Sequence, residues 1–371
     1  MSKAAELANL IGNINAGGGT SGRNLIVNGA MNVAQRGTSF PTAANAAYTL
    51  DQFRYGQSND GEITITQDSS APDGFAKSLK VDVTTADTSI AAGQYADIFA
   101  RIEAINLQIL KFGTSDAQNF TLSFYVKSNK TGTYAVTIGQ SDNSFKQAVL
   151  NYTINSANTW ERKSLTFTGD TAGVIDDNDD RGFEILWWLA AGSTYTGGSA
   201  TGAFATYADA NHAAGQAVNL LDSTDNEWFL TGVQLEVGQN ATEFEHEPFE
   251  KSLHKCKRYY QKLTDSYALH GQICTGHYSN SSQFQGVIKF VPQMRVAPSL
   301  SHTTTSSNNT SSAYYVARDG ANDYVDALAF YNSNRATTLI YSTSGTSGTQ
   351  GVGANLAVQS TITEIAALAE L

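Results

Sequence analysis

The stretch Phe120–Ser128 reads FTLSFYVKS. Phe120, Leu122, Phe124 and Val126 face one way; Thr121, Ser123, Tyr125 and Lys127 face the other. A period of two marks a half-buried antiparallel strand. The same alternation runs through SLKVDVT, where Leu79, Val81 and Val83 alternate with Lys80, Asp82 and Thr84. It recurs in GEITITQ (61–67) and TYAVTIG (133–139), and further strands are expected at RKSLTFTG, FEILWWLA and EWFLTGVQLEVG. Short strands separated by Gly, Asn and Asp turns predict an all-β protein, a jelly-roll β-sandwich whose closing strand is LTGVQLEVG.

Two segments depart from this rhythm. Near the N-terminus, Leu7, Leu10, Ile11 and Ile14 recur at spacings of three and four, one stripe of a short helix. A helix of about three turns is marginal alone in water, so it must dock or associate with copies of itself. The stretch NAGGGTSG (15–22) then ends it as a flexible hinge. Further on, EFEHEPFEKSLHKCKRYYQKL (243–263) is dense in charge and helix-compatible between Phe249 and Tyr260. The expected organisation is therefore a helix and hinge over 1–22, a jelly roll over 23–248 and a helical connector over 249–261. A smaller β-rich C-terminal domain fills 262–371. Its Ser/Thr/Asn/Gly-rich loops, Ser301–Ser312 and Ser342–Gly353, are the kind that carry binding on a rigid scaffold.

Composition narrows the function. The chain has 371 residues, a formal net charge of −11 and only 15% charged residues. No cluster of Lys and Arg is present, which argues against a duplex nucleic-acid partner and against an anionic membrane surface. No apolar run reaches the length of a membrane span, and the leading MSKAAELANLIGNI lacks the apolar core of a secretory signal. The two cysteines, Cys256 and Cys274, form no CxxC pair. They read as buried free thiols, with a bridge open only if the fold brings them together.

No cofactor motif and no catalytic motif stands out, neither a GxSxG elbow nor HExxH nor a phosphate-cradling loop. Asp176, Asn178 and Asp180 in DDNDDRG have the alternate spacing of a calcium loop, but no Glu closes it. The competing reading is an acidic turn between strands. His246, His254 and Cys256 match no zinc spacing. The aromatic residues carry more information. Trp187 and Trp188 are neighbours on one strand and must point to opposite faces of the sheet. Tyr195 and Tyr207 follow among small polar residues in GSTYTGGSATGAFATY. Trp228 is opposite in phase to Phe229, Val233 and Leu235, which places it outside if those three are in the core. Flat rings of this kind stack on the C–H faces of sugars, so Trp187, Trp188, Trp228, Tyr195 and Tyr207 are the glycan-binding candidates. The alternative is that all the tryptophans fill the sandwich.

Several separated stretches carry a resemblance: RNLIVNGAMNVAQRGTSF (23–40), YTLDQFRY (48–55), SNKTGTYAVTI (128–138), LWWLAAGSTYTGG (186–198), STDNEWFLTGVQLEVGQNATEFEHEPFEKSLHKCKRYYQK (223–262) and FVPQMRVAP (290–298). Together they resemble a module of tail-fibre and host-recognition proteins of tailed bacteriophages and prophages. The resemblance implies a carbohydrate-binding-like jelly roll with RNLIVNGAMNVAQRG as its opening strand and first turn. It further implies a homotrimeric fibre of the virion, made in the host cytoplasm, that adsorbs to a bacterial surface polysaccharide or lipopolysaccharide. The N-terminal helix would anchor it to another tail or capsid protein. On this reading the protein is a non-enzymatic adhesin. The alternatives are a structural fibre or capsid-decoration protein that binds no sugar, and a glycan depolymerase.

Overall fold

The computed structural model describes residues 2–15, 22–142, 144–263, 272–304, 314–318, 321–325, 328–342, 346–358 and 362–371. The chain divides into two compact units, 1–252 with Leu371, and 253–370. The first unit opens with helix α1 (Lys3–Asn15). Its strands are β1 (Ser39–Phe40), β2 (Ala47–Tyr48), β3 (Phe53–Ser58), β4 (Glu62–Asp68), β5 (Ser78–Thr85), β6 (Tyr95–Glu103) and β7 (Phe120–Ser128). They continue with β8 (Gly132–Gln140), β9 (Lys146–Ile154), β10 (Glu161–Phe167), β11 (Arg181–Ala191), β12 (Ala205–Thr206) and β13 (Glu227–Val237). Two sheets result. One has the order β1-β4-β5-β13-β7-β10, the other β12-β9-β8-β11-β6-β3-β2. Their inner faces share one core, to which the expected inward sets contribute: Phe120, Leu122, Phe124 and Val126 of β7, and Leu79, Val81 and Val83 of β5. This is the all-β sandwich read from the alternation.

The phase of β13 changes along its length. Trp228 and Leu230 point inward, and so do Val233, Leu235 and Val237. A bulge between Thr231 and Gln234 supplies the extra residue, and Gly232 within it has φ +60°. A bulge of this kind puts two residues against one and flips the side-chain phase beyond it. Trp228 is therefore 0% exposed and part of the core, not outside it, while Phe229 takes the other face beside Trp160 and Lys127. Strict alternation extrapolated through the bulge gave the opposite placement.

The bulge also explains the segment 23–38, which is irregular rather than an opening strand. Strand β5 pairs with β13 only as far as Leu230. Beyond that point the leading segment takes the vacated edge. Leu25 N–H donates to Leu235 O at 2.9 Å, and Val233 N–H donates to Gly29 O at 2.9 Å. The Asn24 side chain accepts from Leu235 N–H and donates to Val233 O. Asn28, at φ 61°, closes the next turn on both the N–H and the carbonyl of Val33. These side-chain bonds offer the backbone an alternative to a ladder, and they bury Ile26, Met31 and Val33.

On α1, Leu7 is 57% and Ile11 48% exposed, and Leu10 is half-buried. The side chain of Ile14 and residues 16–21 of the hinge lie outside the described residues.

The helix expected in the connector is α4 (Phe249–Cys256). It stops four residues short of Tyr260, which begins a strand. The second unit comprises β14 (Tyr260–Lys262), β15 (Gln272–Asn280), β16 (Gln283–Lys289), β17 (Ser299–Thr304), β18 (Tyr314–Arg318), β19 (Ala321–Val325), β20 (Leu328–Tyr331), β21 (Thr337–Ser342), β22 (Gly353–Val358) and β23 (Ile362–Leu368). They form a three-stranded sheet, β14-β23-β17, and a seven-stranded sheet, β19-β18-β22-β15-β16-β21-β20. The start of the expected loop Ser301–Ser312 is the end of strand β17; residues 305–313, like 343–345 of the other Ser/Thr loop, lie outside the described residues. Cys256 is buried and Cys274 half-buried, and no disulfide joins them.

Candidate functional site

The outer face of the seven-stranded sheet in the first unit is built by the residues that β6, β8, β9 and β11 turn away from the core. On β6, Ala96, Ile98, Ala100 and Ile102 face inward, which sends Tyr95, Asp97, Phe99 and Arg101 outward. On β11, Phe183, Ile185 and Trp187 face inward, which sends Glu184, Leu186 and Trp188 outward. The two adjacent tryptophans are thus separated by the sheet: Trp187 packs against Phe53 and Phe124 in the core, and Trp188 joins a second apolar cluster with Phe99, Val149 and Leu186.

Half of this outer face is roofed. After β11 the chain forms α2 (Ser193–Thr196), β12 and α3 (Asp209–His212), and returns across β8 and β9. Polar side chains of the sheet hold the roof by its backbone. Gln147 donates to Ala208 O at 2.8 Å, Asn151 to Ala214 O at 2.9 Å, and Thr137 Oγ1 to His212 O. The indole of Trp188 donates to Thr137 Oγ1 at 2.8 Å. His212 Nδ1 lies 2.7 Å from Gln147 Oε1, and burial lowers the His212 pKa to about 4, so the ring is neutral. The β6 and β3 side of the same face lies beyond the roof, and there Arg101 donates to Leu371 O at 2.7 Å.

A cavity of about 350 Å³ lies between the roof and the outer residues of β6 and β11. Tyr95, Phe99, Trp188, Tyr195, Tyr207 and His212 give it an aromatic lining, and Asp97, Arg101 and Glu184 give it charge. Trp188 is 1% exposed and lies against Tyr195, with ring centroids 6.2 Å apart and planes at 28°. Tyr95 meets both rings edge-on, at 6.0 and 5.9 Å. Tyr207 is exposed on the rim, with its hydroxyl donating to Asp209 at 2.7 Å. Glu184 receives Arg101 Nε at 2.6 Å and an Arg181 guanidinium nitrogen at 2.9 Å. Asp97 differs: it is 1% exposed, and its Oδ1 has no hydrogen-bond partner. Desolvation, with a smaller contribution from the charge of Glu184, pushes its carboxyl well above the ordinary range. The carboxylate lies over Gly56 of β3, where a Cβ would sit 2.7 Å from Oδ1.

Of the glycan-binding candidates read from the sequence, the fold brings Trp188, Tyr195 and Tyr207 into this cavity and places Trp187 and Trp228 in the core. Strand β6, with Tyr95, Asp97, Phe99 and Arg101, was not among the expected strands. Its YADIFARIE is rich in helix formers, and its outward set is as aromatic as a core. The available signal was the alternation of Ala96, Ile98, Ala100 and Ile102 beneath it. The acidic loop forms a turn: Asn178 Oδ1 accepts from Asp180 N–H at 2.8 Å, and the Asn178 and Asp180 carbonyls accept from Ile105 and Ala104. Asn178 is thereby engaged by its own loop, and Asp176 is exposed. Among the described residues, no group of three or more His, Cys, Asp or Glu side chains is placed to hold a metal ion.

No family model and no curated protein matches the chain. Among solved structures it is similar to the enzymatically active domain of tailspike protein 4 of bacteriophage CBA120, at 13% identity and a TM-score of 0.29, over 53% of this chain. The chain spans only 21% of that tailspike domain. It is also similar to a CBM4 module, at 14% identity and a TM-score of 0.31, covering 57% of this chain and 97% of the module. A third likeness is to the family 11 carbohydrate-binding module of a cellulosomal cellulase of Clostridium thermocellum, at 11% identity and a TM-score of 0.28, covering 56% of this chain and 98% of that module.

Proposed function

We propose that the cavity beside the roof of the first unit binds a carbohydrate, and that the protein is a non-enzymatic adhesin of a bacteriophage particle. One observation carries the binding reading. Aromatic rings and a buried carboxylate, drawn from β6, β11 and the roof, converge on a single cavity of sugar-ring dimensions. Sugars need that combination, because their C–H faces stack on flat rings while their polar substituents require fixed partners. The virion assignment is supported by the resemblance of the segments between Arg23 and Pro298 to phage host-recognition modules. Self-association as a homotrimer is supported by Leu7 and Ile11, which leave an apolar stripe on α1 exposed in the single chain. Several weak sites per fibre would then act together through effective concentration.

A glycan array probed with the intact chain and with Tyr95→Ala and Tyr195→Ala tests the binding reading. Selective glycan signal that both variants weaken supports it; a blank array, or signal unchanged in both variants, refutes it. Incubation of the bound polysaccharide with the protein should release no new reducing ends. Light scattering should give three times the chain mass, and a chain lacking residues 1–21 should scatter as a monomer while keeping its β-type circular dichroism. A monomeric intact chain would rule out the trimer.

A further inference from the structure

We infer that the carbohydrate bound in this cavity carries a free ammonium group, with Asp97 as its counter-ion and the surrounding rings as its walls. The inference rests on the carbohydrate reading and names the ligand's chemistry.

The charges around the cavity are matched except at Asp97. Glu184 on β11 is held by Arg101 and Arg181. Arg54 on β3 lies over the rings of Tyr48 and Phe99, at 4.4 and 5.0 Å from their centroids. His212 in the roof is neutral and engaged by Gln147. Tyr55 of β3 turns to the core and donates nothing to Asp97. One buried carboxyl therefore faces the cavity with no ion pair among the described residues and with Oδ1 unbonded. A buried acidic group left in that state is costly unless a ligand completes it.

The rings select the sign of the missing partner. Tyr95, Trp188 and Tyr195 meet edge-to-face and stacked around the cavity, and aromatic faces attract cations. An ammonium group would bring both the charge and the donors that Asp97 lacks. A uronic or sialic acid would bring a second acidic group against Asp97 and no cation to complete it. An N-acetylated sugar has lost the charge and would leave the carboxyl uncompensated. Burial raises the affinity of Asp97 for a proton, and an ammonium group at this carboxyl takes that proton's place as the compensating cation.

The test is an array carrying the same oligosaccharide backbones in free-amine, N-acetylated and unsubstituted forms, probed with the full chain and with Asp97→Asn. The intact protein should prefer the free-amine forms by about ten-fold or more, the range of a desolvated charge pair. Asp97→Asn should erase that preference while still binding the backbone through the rings. Circular dichroism and melting of the variant report whether it is folded, and the preference of the intact chain stands as a readout independent of the variant. Binding confined to glycans without an amine would overturn the inference and leave the carbohydrate reading intact. An amine preference that survives Asp97→Asn would also overturn it, since a diffuse attraction between amines and this acidic chain predicts that result. No binding to any glycan would overturn both.

Discussion

Asp97→Asn should make the jelly-roll unit more stable at neutral pH and less so in acid. The folded-state pKa of Asp97 lies above the unfolded value near 3.8, so the fold holds a proton that the unfolded chain releases. Stability from such a group is complete below the unfolded value and is lost as pH rises through the folded one. Each pH unit over which the proton is retained costs about 1.4 kcal/mol relative to the unfolded chain. Asn keeps the shape and removes the titration, but its amide is also buried without partners, which takes back about 1 kcal/mol. The net expectation is a melting temperature above the parent's at pH 7, because the desolvated carboxyl is gone. Below pH 4 the variant should melt at or below the parent. Calorimetry of both proteins at pH 7 and pH 3.5 reads the difference directly. A variant less stable than the parent at pH 7 would refute the reasoning, because it would mean that Asp97 is paired in the folded protein.

His212 works in the opposite direction. Its pKa falls from 6.5 to about 4 on folding, so its contribution is present above pH 6.5 and lost as pH falls towards 4, by up to about 3 kcal/mol; His212→Gln should flatten that part of the stability profile in a pH series of urea melts. Trp187→Ala should cost about 3–5 kcal/mol and lower the melting temperature sharply, since it empties a fully buried site between Phe53 and Phe124. Tyr207→Ala, on the exposed rim, should shift the melt by no more than about 0.5 kcal/mol yet weaken glycan binding, and a large loss of stability with intact binding would remove it from the site.

The sandwich was legible because most of its strands keep one face apolar and one polar. Phe120–Ser128 and Ser78–Thr85 needed nothing beyond their own alternation. Trp228 shows where that reading breaks: a single extra residue at Gly232 reverses the phase, and nothing in EWFLTGVQLEVG apart from the glycine marks it. The aromatic part of the candidate site was visible because Trp188, Tyr195 and Tyr207 follow one another along the chain. Asp97 was not, since its environment is assembled from Gly56 of β3, from β11 and from roof residues about a hundred positions later. Strand β6 was hidden for a related reason: with its outward residues covered, both of its faces are buried, and the polar contrast that reveals a strand is lost.

The grip on the roof has a consequence of its own. Gln147, Asn151 and Thr137 reach up from the sheet to main-chain oxygens of Ala208, Ala214 and His212, groups every residue type possesses. The sheet therefore fixes the path of this segment in part through groups that do not depend on which side chains it carries. Tyr195, Tyr207 and His212 project from one contiguous stretch held in that manner. The exposed rim behaves like an interchangeable faceplate: Tyr207 and its exposed neighbours can be rewritten by replacing a single short piece of chain, while the main-chain anchors keep its path.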